Sequence, residues 1–362
     1  MIDKVIKRFI LIIKSHSENN IYFLINEEYM KENTIPLNEQ QCHLKLTKVV
    51  TSEFAGMRLD QALSHLFPEY SRSRLQQWIK EMKVWVNGKS LKAKDKIHGG
   101  EEIILQASPS TNQRKWEAQD IHLNIVFEDA DLMVINKPAG LVVHPAAGNW
   151  EGTLVNALLH HKPDLKNLPR AGLIHRLDKD TTGLLIIAKT LTAHTSLTRQ
   201  LQERSIKREY ATLVTGNIIS GSTINAPITR HPRKRKLMAV CNTGKIAITH
   251  YRVQERFRSH TLLKVNLETG RTHQIRVHMA YIQHPVLGDM HYAGRLQLPK
   301  GATLELSEAL REFKRQALHA RILGIIHPLT QEYIEWEAPL PEDMKQLLTL
   351  LRNDRTVHES IP

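Results

Sequence analysis

Gly172-Leu173-Ile174-His175-Arg176-Leu177-Asp178-Lys179-Asp180-Thr181-Thr182-Gly183 runs without a break into Leu184-Leu185-Ile186-Ile187-Ala188. The second half is a short apolar run of strand length, so it reads as a buried strand. The first half is the densest polar cluster in the chain, and its charges therefore sit at the lip of a buried element. A loop braced by a rigid strand can hold a carboxylate in position, and adjacent cations keep it ionised and nucleophilic at neutral pH. An ordinary charged turn before a strand has the same spacing, and spacing alone leaves both readings open.

Around this stretch, residues 121 to 352 alternate short extended runs with helices. Leu132 to Ile135, Glu209 to Val214, Ile246 to Val253, Thr261 to Leu267, Leu318 to Ile326 and Glu332 to Trp336 read as strands. Thr153 to His161, Leu191 to Glu203, Thr272 to Gln283 and Pro341 to Leu351 carry helical spacing. Most strand-to-strand connections are too short for a helical crossover, which predicts a mixed, mainly antiparallel sheet with flanking helices in an α+β chain. Residues 353 to 362 read as a C-terminal tail.

Upstream lies a smaller module, residues 57 to 106. Leu59, Ala62, Leu63, Leu66 and Phe67 form a helical stripe ending before Pro68. Ser71 is the expected N-cap of a second helix carrying Leu75, Trp78, Ile79 and Met82, flanked by Arg72, Arg74, Lys80 and Lys83. Val84-Trp85-Val86 leads to Asn87-Gly88, a tight-turn dipeptide, and Ile103-Ile104-Leu105 supplies a last strand. Two helices and a small sheet, basic on one side, suit nucleic-acid binding, with a solvated basic surface as the alternative. Residues 107 to 120, rich in Ser, Pro, Thr, Asn and Gln, read as a linker, and residues 1 to 48 as a poorly ordered extension.

The 362 residues carry 50 Lys and Arg against 37 Asp and Glu, a formal charge of +13, which predicts a polyanionic partner. With 41% hydrophobic and 24% charged residues, collagen-like, mucin-like and wholly disordered readings drop out. Cys42 and Cys241 are too few and too distant for a disulfide framework or zinc cluster, which fits a reducing cytoplasm. No apolar run reaches the roughly 18 residues of a membrane span. Lys4, Lys7 and Arg8 before Phe9 to Ile13 imitate a signal peptide, but the apolar core falls below the usual ~7 to 15 residues.

Two more clusters bear on chemistry. Glu268-Thr269-Gly270-Arg271-Thr272-His273-Gln274-Ile275-Arg276-Val277-His278 opens a helix, with Thr272 or Thr269 as the expected cap and Arg271 beside the first-turn amides. His273 and His278, five apart, lie off a common helical face, so no metal site is expected. Arg230-His231-Pro232-Arg233-Lys234-Arg235-Lys236 holds five fixed positive charges in seven residues, the pattern of a mobile loop that contacts phosphate.

Together these blocks resemble the RluA family of pseudouridine synthases. The resemblance runs from Met57 to Arg352 and rests on the His175-Arg176-Leu177-Asp178 block, in which Thr182 stands where serine is commoner. Asn136-Lys137-Pro138-Ala139-Gly140, Lys207-Arg208-Glu209-Tyr210, Gly270 to His278 and Arg315-Gln316-Ala317-Leu318-His319-Ala320 follow in family order. The first module resembles the S4-type RNA-binding domain. The resemblance implies Asp178 as the catalytic aspartate, Arg271 as the cation paired with it and Tyr210 as the aromatic stacked on the base. It further implies Leu318 as an apolar wall, Arg176 as the arginine entering the space of a flipped nucleotide, and His175 beside it. Arg72, Arg74, Arg233, Lys234 and Arg235 are the expected phosphate contacts. No cofactor is implied, since isomerising uridine needs neither redox agent nor net hydrolysis. The wording around Asp178 and the basic loop most resembles the branch that modifies the helix 69 stem-loop of 23S rRNA, in the large ribosomal subunit or its precursor, with a monomeric enzyme as the default. Two rivals are a non-catalytic RNA-binding assembly factor and a metal-dependent nuclease using Asp178 and Asp180.

Overall fold

The computed structural model of the chain describes residues 44–67, 70, 72–107, 116–145 and 148–359. The chain divides between Arg114 and Lys115 into two compact units.

The first unit contains β1 (Leu44–Val49), α1 (Leu59–Leu66), α2 (Arg72–Lys80), β2 (Val84–Val86) and β3 (Glu102–Ala107). Its antiparallel sheet has the order β1-β3-β2. Leu59, Ala62, Leu63 and Leu66 of α1 meet Leu75, Trp78 and Ile79 of α2 over Ile103 and Leu105 of β3, so both helical stripes are spent on one core. Asn87 and Gly88 adopt left-handed φ of 47° and 73°, and Val86 and Lys89 exchange both backbone hydrogen bonds across them. That is the expected two-residue turn. One boundary needs correcting: residues 44 to 48 belong to β1, not to the extension, because Leu46 faces this core. Their partner strand lies nearly sixty residues downstream, beyond the reach of local pattern. The rest of the extension, Ser71 and residues 108–115 of the linker lie outside the described residues.

The second unit opens with β4 (Ile125–Glu128), β5 (Leu132–Lys137), α3 (Leu154–His161), β6 (Thr182–Ala188), α4 (Leu191–Gln202) and β7 (Lys207–Thr215). β8 (Ser222–Asn225), β9 (Ile228–Arg230), β10 (Met238–Val240), β11 (Ile248–Arg256), β12 (His260–Leu267) and α5 (Gln274–Tyr281) follow. α6 (Leu304–Glu312), β13 (Leu318–Ile326), β14 (Tyr333–Glu337) and α7 (Glu342–Glu359) complete it. The large sheet has the order β4-β5-β6-β13-β7-β12-β11-β8, with β14 paired to the far end of β13. Every pairing is antiparallel except β6 with β13, so the sheet is mixed and mainly antiparallel as expected.

Helices on both faces explain the apolar runs of β5 and β6. Met133, Ile135, Leu185 and Ile187 point toward Leu154, Val155 and Leu158 of α3. Leu132, Val134, Leu184 and Ile186 point toward Ala193 and Leu197 of α4. A strand covered on both sides has no polar face to show.

Two further boundaries move. Trp116 to Asp120, read as linker, are tied to the second unit: Asn156 Nδ2 donates to Glu117 O at 2.7 Å and Gln119 N to Asn156 O at 3.0 Å. Residues 353–359 of the expected tail are instead the last part of α7, where buried Asp354 accepts from Arg258 Nη1 at 2.8 Å and from Thr303 N at 3.2 Å, and residues 360–362 lie outside the described residues. The polar stretch Arg352 to Arg355 conceals this turn of helix, because its inward residue is a carboxylate with a partner of its own.

Candidate active site

Asp178 lies in the turn that precedes β6, closed by a hydrogen bond from Thr181 N to Asp178 O of 3.1 Å. Three side chains, from β5 and from the segment that enters β13, brace that turn. Lys137, fully buried at the end of β5, donates from Nζ to Lys179 O at 2.8 Å and also to Pro138 O and Leu141 O. Burial pushes its ammonium down to about 8, against the pull of Asp180 and Asp178. Gln316 Nε2 donates to Thr181 Oγ1 at 3.0 Å, and Thr182 Oγ1 lies 2.8 Å from His319 Nδ1. Burial lowers the His319 ring to about 4, so it is neutral: Nε2 donates to Ala338 O and Nδ1 accepts from the threonine. These side chains come from the Asn136 to Gly140 and Arg315 to Ala320 blocks, so both blocks serve to fix one aspartate.

Gly183 explains the glycine after the paired threonines. There β6 meets β13 in a parallel pairing of two residues on each strand, His319 with Thr182 and Ala320 with Gly183. Gly183 has φ of 109°, and a Cβ on it would stand 2.2 Å from Ala320 O. On its other side β13 pairs with β7, and a register shift between Ala320 and Ile322 sits opposite Tyr210 and Glu209. Such a bulge re-aims side chains beside a site.

The Asp178 carboxylate faces a cleft of about 680 Å³ whose walls include Tyr210, Leu318, His273 and Arg276. Its side chain keeps 17% of its exposure. Arg276 Nη1 donates to Asp178 Oδ2 at 2.9 Å. The same guanidinium grips buried Asp289 with Nε and Nη2 at 2.6 and 2.9 Å, and stacks over Tyr292 at 5.0 Å. Burial disfavours its charge, but Asp289 and then Asp178 outweigh that and hold it above its ordinary value. His273 Nε2 stands 3.8 Å from Asp178 Oδ1, and its Nδ1 is 2.8 Å from Tyr292 Oη, which also accepts from Met238 N. Burial lowers the His273 imidazole, with the Asp178 carboxylate opposing.

The partner expected for Asp178 is therefore the wrong arginine. Arg271 precedes α5, is exposed at the cleft rim, and donates from Nε to Ile246 O at 3.1 Å. Arg276, one turn on, points into the cleft. The cap of α5 also differs: neither Thr272 nor Thr269 caps it. Its first residue follows His273, which has a left-handed φ of 56°, and Gln274 Oε1 accepts from Thr269 Oγ1 and Arg271 N. A charged residue inside Ile275-Arg276-Val277-His278-Met279 was the available signal, since such a residue is buried only with a partner. Asp289 left no comparable trace.

The remaining candidates divide by position. Tyr210 and Leu318, 7% and 4% exposed, are diagonal neighbours on the paired strands β7 and β13, and both line the cleft wall. Burial pushes the Tyr210 hydroxyl up, with Arg208 opposing. Arg176 is exposed at the cleft. His175 lines the cleft too, yet its Nε2 accepts from Ile186 N at 3.2 Å, and burial, then Arg208, pushes the ring down to about 3. It is a neutral brace on β6. Arg233, Lys234 and Arg235 are exposed at the tip of the β9–β10 hairpin. That tip has internal bonds, from Arg233 N and Lys234 N to His231 Nδ1. In the first unit Arg72 donates to Asp60 Oδ2 at 2.6 Å, and Arg74 stacks on Trp78 at 4.8 Å. Among the described residues no group of three or more His, Cys, Asp or Glu could hold a metal ion. No described helix is long and apolar enough to cross a membrane.

Residues 131–281 match the RNA pseudouridylate synthase family, and residues 57–103 match the S4 domain. The chain is 57% identical over 306 residues to ribosomal large subunit pseudouridine synthase D of Pseudomonas aeruginosa, covering 84% of this chain and 95% of that protein. This chain belongs to the RNA pseudouridylate synthase family. Proteins of the same name from Vibrio cholerae and Escherichia coli are 53% and 52% identical over 318 and 317 residues, covering 88% and 87% of this chain and 98% and 97% of theirs. An S4 domain precedes a pseudouridine synthase domain, and the chain is an RNA pseudouridine synthase, an isomerase.

Proposed function

We propose that this synthase isomerises uridines of large-subunit ribosomal RNA, in the helix 69 stem-loop of 23S rRNA, with Asp178 as its catalytic aspartate. The observation that carries the reading is the position of Asp178: braced through Lys137, Gln316 and His319, joined to Arg276, and open to a cleft walled by Tyr210 and Leu318. The relatives' name supports the ribosomal substrate.

Asp178 attacks the target nucleoside or takes a ribose proton while the N1–C1′ bond breaks. The bond's electron pair leaves with the uracil, which turns and rejoins C1′ through C5, and the C5 proton is exchanged for one on N1. Tyr210 stacks on the base, and Leu318 closes the wall that keeps free uracil from escaping. Holding base and ribose together gives the rejoining step a high effective molarity. Flipping the base costs a few kcal/mol, less in a loop already partly unstacked, and phosphate contacts by basic side chains offset it. Arg176, exposed at the cleft, enters the vacated stack.

The test is reaction of the purified chain with unmodified large-subunit RNA and mapping of every pseudouridine formed. Several neighbouring products in the helix 69 loop are expected, and Asp178→Asn should abolish them while leaving RNA affinity within a few-fold. Pseudouridines confined to another large-subunit site or to transfer RNA would overturn the substrate, and an active Asp178→Asn the aspartate.

A further inference from the structure

Arg208 is a buried cation that takes no part in bracing Asp178. It lies two residues before Tyr210 on β7, so the two side chains share a face of the strand and both line the cleft. The alternate residues Lys207 and Glu209 face the other way, to Glu335 and Lys264. Arg208 is only 7% exposed, yet no carboxylate among the described residues pairs with it. Its Nη2 reaches Leu267 O and Glu268 O at a long 3.4 Å, its Nε is buried without an acceptor, and Nη1 has none among the described residues. Gly270 leaves the room it occupies, since a Cβ there would lie 2.8 Å from Nη1.

An unpaired buried guanidinium costs the free protein stability, so its retention points to an anion that arrives later. Arg276 cannot meet such an anion, because Asp178 and Asp289 already share it. Arg176 and Arg271 are exposed at the cleft and suit backbone phosphate. Arg208 instead sits on the wall that holds Tyr210.

We propose that Arg208 is a catalytic residue that stabilises the negative charge on the detached uracil. The proposal rests on the reading that the base stacks on Tyr210. When N1–C1′ breaks, the bonding pair spreads over N1, O2 and O4 of the ring, and it returns to C1′ when C5 bonds there. A fixed guanidinium with free donors lowers the energy of that interval without tightening the ground state, as oxyanion donors do elsewhere.

Three measurements test it on the full chain with large-subunit RNA. Arg208→Met should lower the single-turnover rate on the order of 10²-fold, leave KM, RNA affinity and the salt slope within about twofold, and leave Tm unchanged or raised. Arg208→Lys should recover part of the rate. Gly270→Ala, which pushes only on the far end of the side chain, should slow turnover without unfolding. A loss confined to KM with a flatter salt slope would overturn the proposal in favour of a phosphate contact. A fall in Tm accompanying the rate loss would make Arg208 structural, and an unchanged rate would remove it from the chemistry. If the wild-type chain forms no pseudouridine in the same assay, the substrate reading fails instead, which separates the two.

Discussion

Arg276 holds two carboxylates at once, and its sharing fixes the position of Asp178. The bidentate grip on Asp289 locks the guanidinium plane, and the remaining Nη1 is aimed at Asp178. Arg276→Lys keeps one charge but has a single ammonium in place of the planar fork that grips Asp289 with two parallel bonds while reaching Asp178, so pseudouridine formation should fall on the order of 10²-fold. Arg276→Gln additionally leaves Asp289 buried without a cation and should cost about 3 to 5 kcal/mol in a denaturant titration. Arg271→Ala should keep turnover within about tenfold, since its guanidinium is solvated at the rim; a larger loss than in Arg276→Lys would return the pairing role to Arg271. Asp178, Tyr210 and Leu318 fall at recognisable places in ordered blocks, and all three line one cleft. The Arg271 assignment failed because Gly270 to His278 contains two arginines, and the choice between them depends on where α5 begins. Backbone geometry at His273 sets that start, and residue type does not reveal it.

At the scale of elements, the extended runs around Asp178 announced themselves through unbroken apolar sequence, and Leu318 to Ile326 is a strand over the same residues. β8, β9 and β10 were missed: three or four residues each, interrupted by Pro227 and Pro232, they carry too few positions to show a period. The parallel joint between β6 and β13 has no local signature at all, because its partners are 137 residues apart. Yet the joint positions the aspartate turn, through Thr182 on one strand and His319 on the other. Gly183→Ala tests it. The added methyl cannot fit beside Ala320 O without separating the strands, and φ of 109° strains any side chain. A stability loss of about 3 kcal/mol or more and a fall in kcat at unchanged RNA affinity are expected. A variant with wild-type Tm and kcat would mean that this joint is not needed to hold the turn.

Over the whole molecule, the net charge of +13 predicted a polyanion, and the structure shows how differently its cations are committed. Arg72 is held by buried Asp60 together with Arg58 and Gln76, an arrangement that fixes the arginines while lowering the Asp60 carboxyl, burial working against Arg72. Arg233, Lys234 and Arg235 instead stand exposed on a hairpin tip shaped by its own backbone bonds, His231 N to Leu237 O and Leu237 N to Lys234 O, and by side-chain bonds from Arg230 to Arg235 O and from Lys234 N to His231. When such side chains bind phosphates they release condensed counterions, so the salt dependence of binding reveals how many phosphates they neutralise. Substituting all three together with glutamine should flatten the slope of log affinity against log salt by roughly 0.7 to 0.9 of a unit for each phosphate left without its cation. The single-turnover rate at saturating RNA should stay near wild type, since Asp178, Tyr210 and Arg276 are untouched. An unchanged slope with a reduced rate would show that the hairpin acts on the site instead, through the Met238 N to Tyr292 Oη bond that ties it to the stack over Arg276.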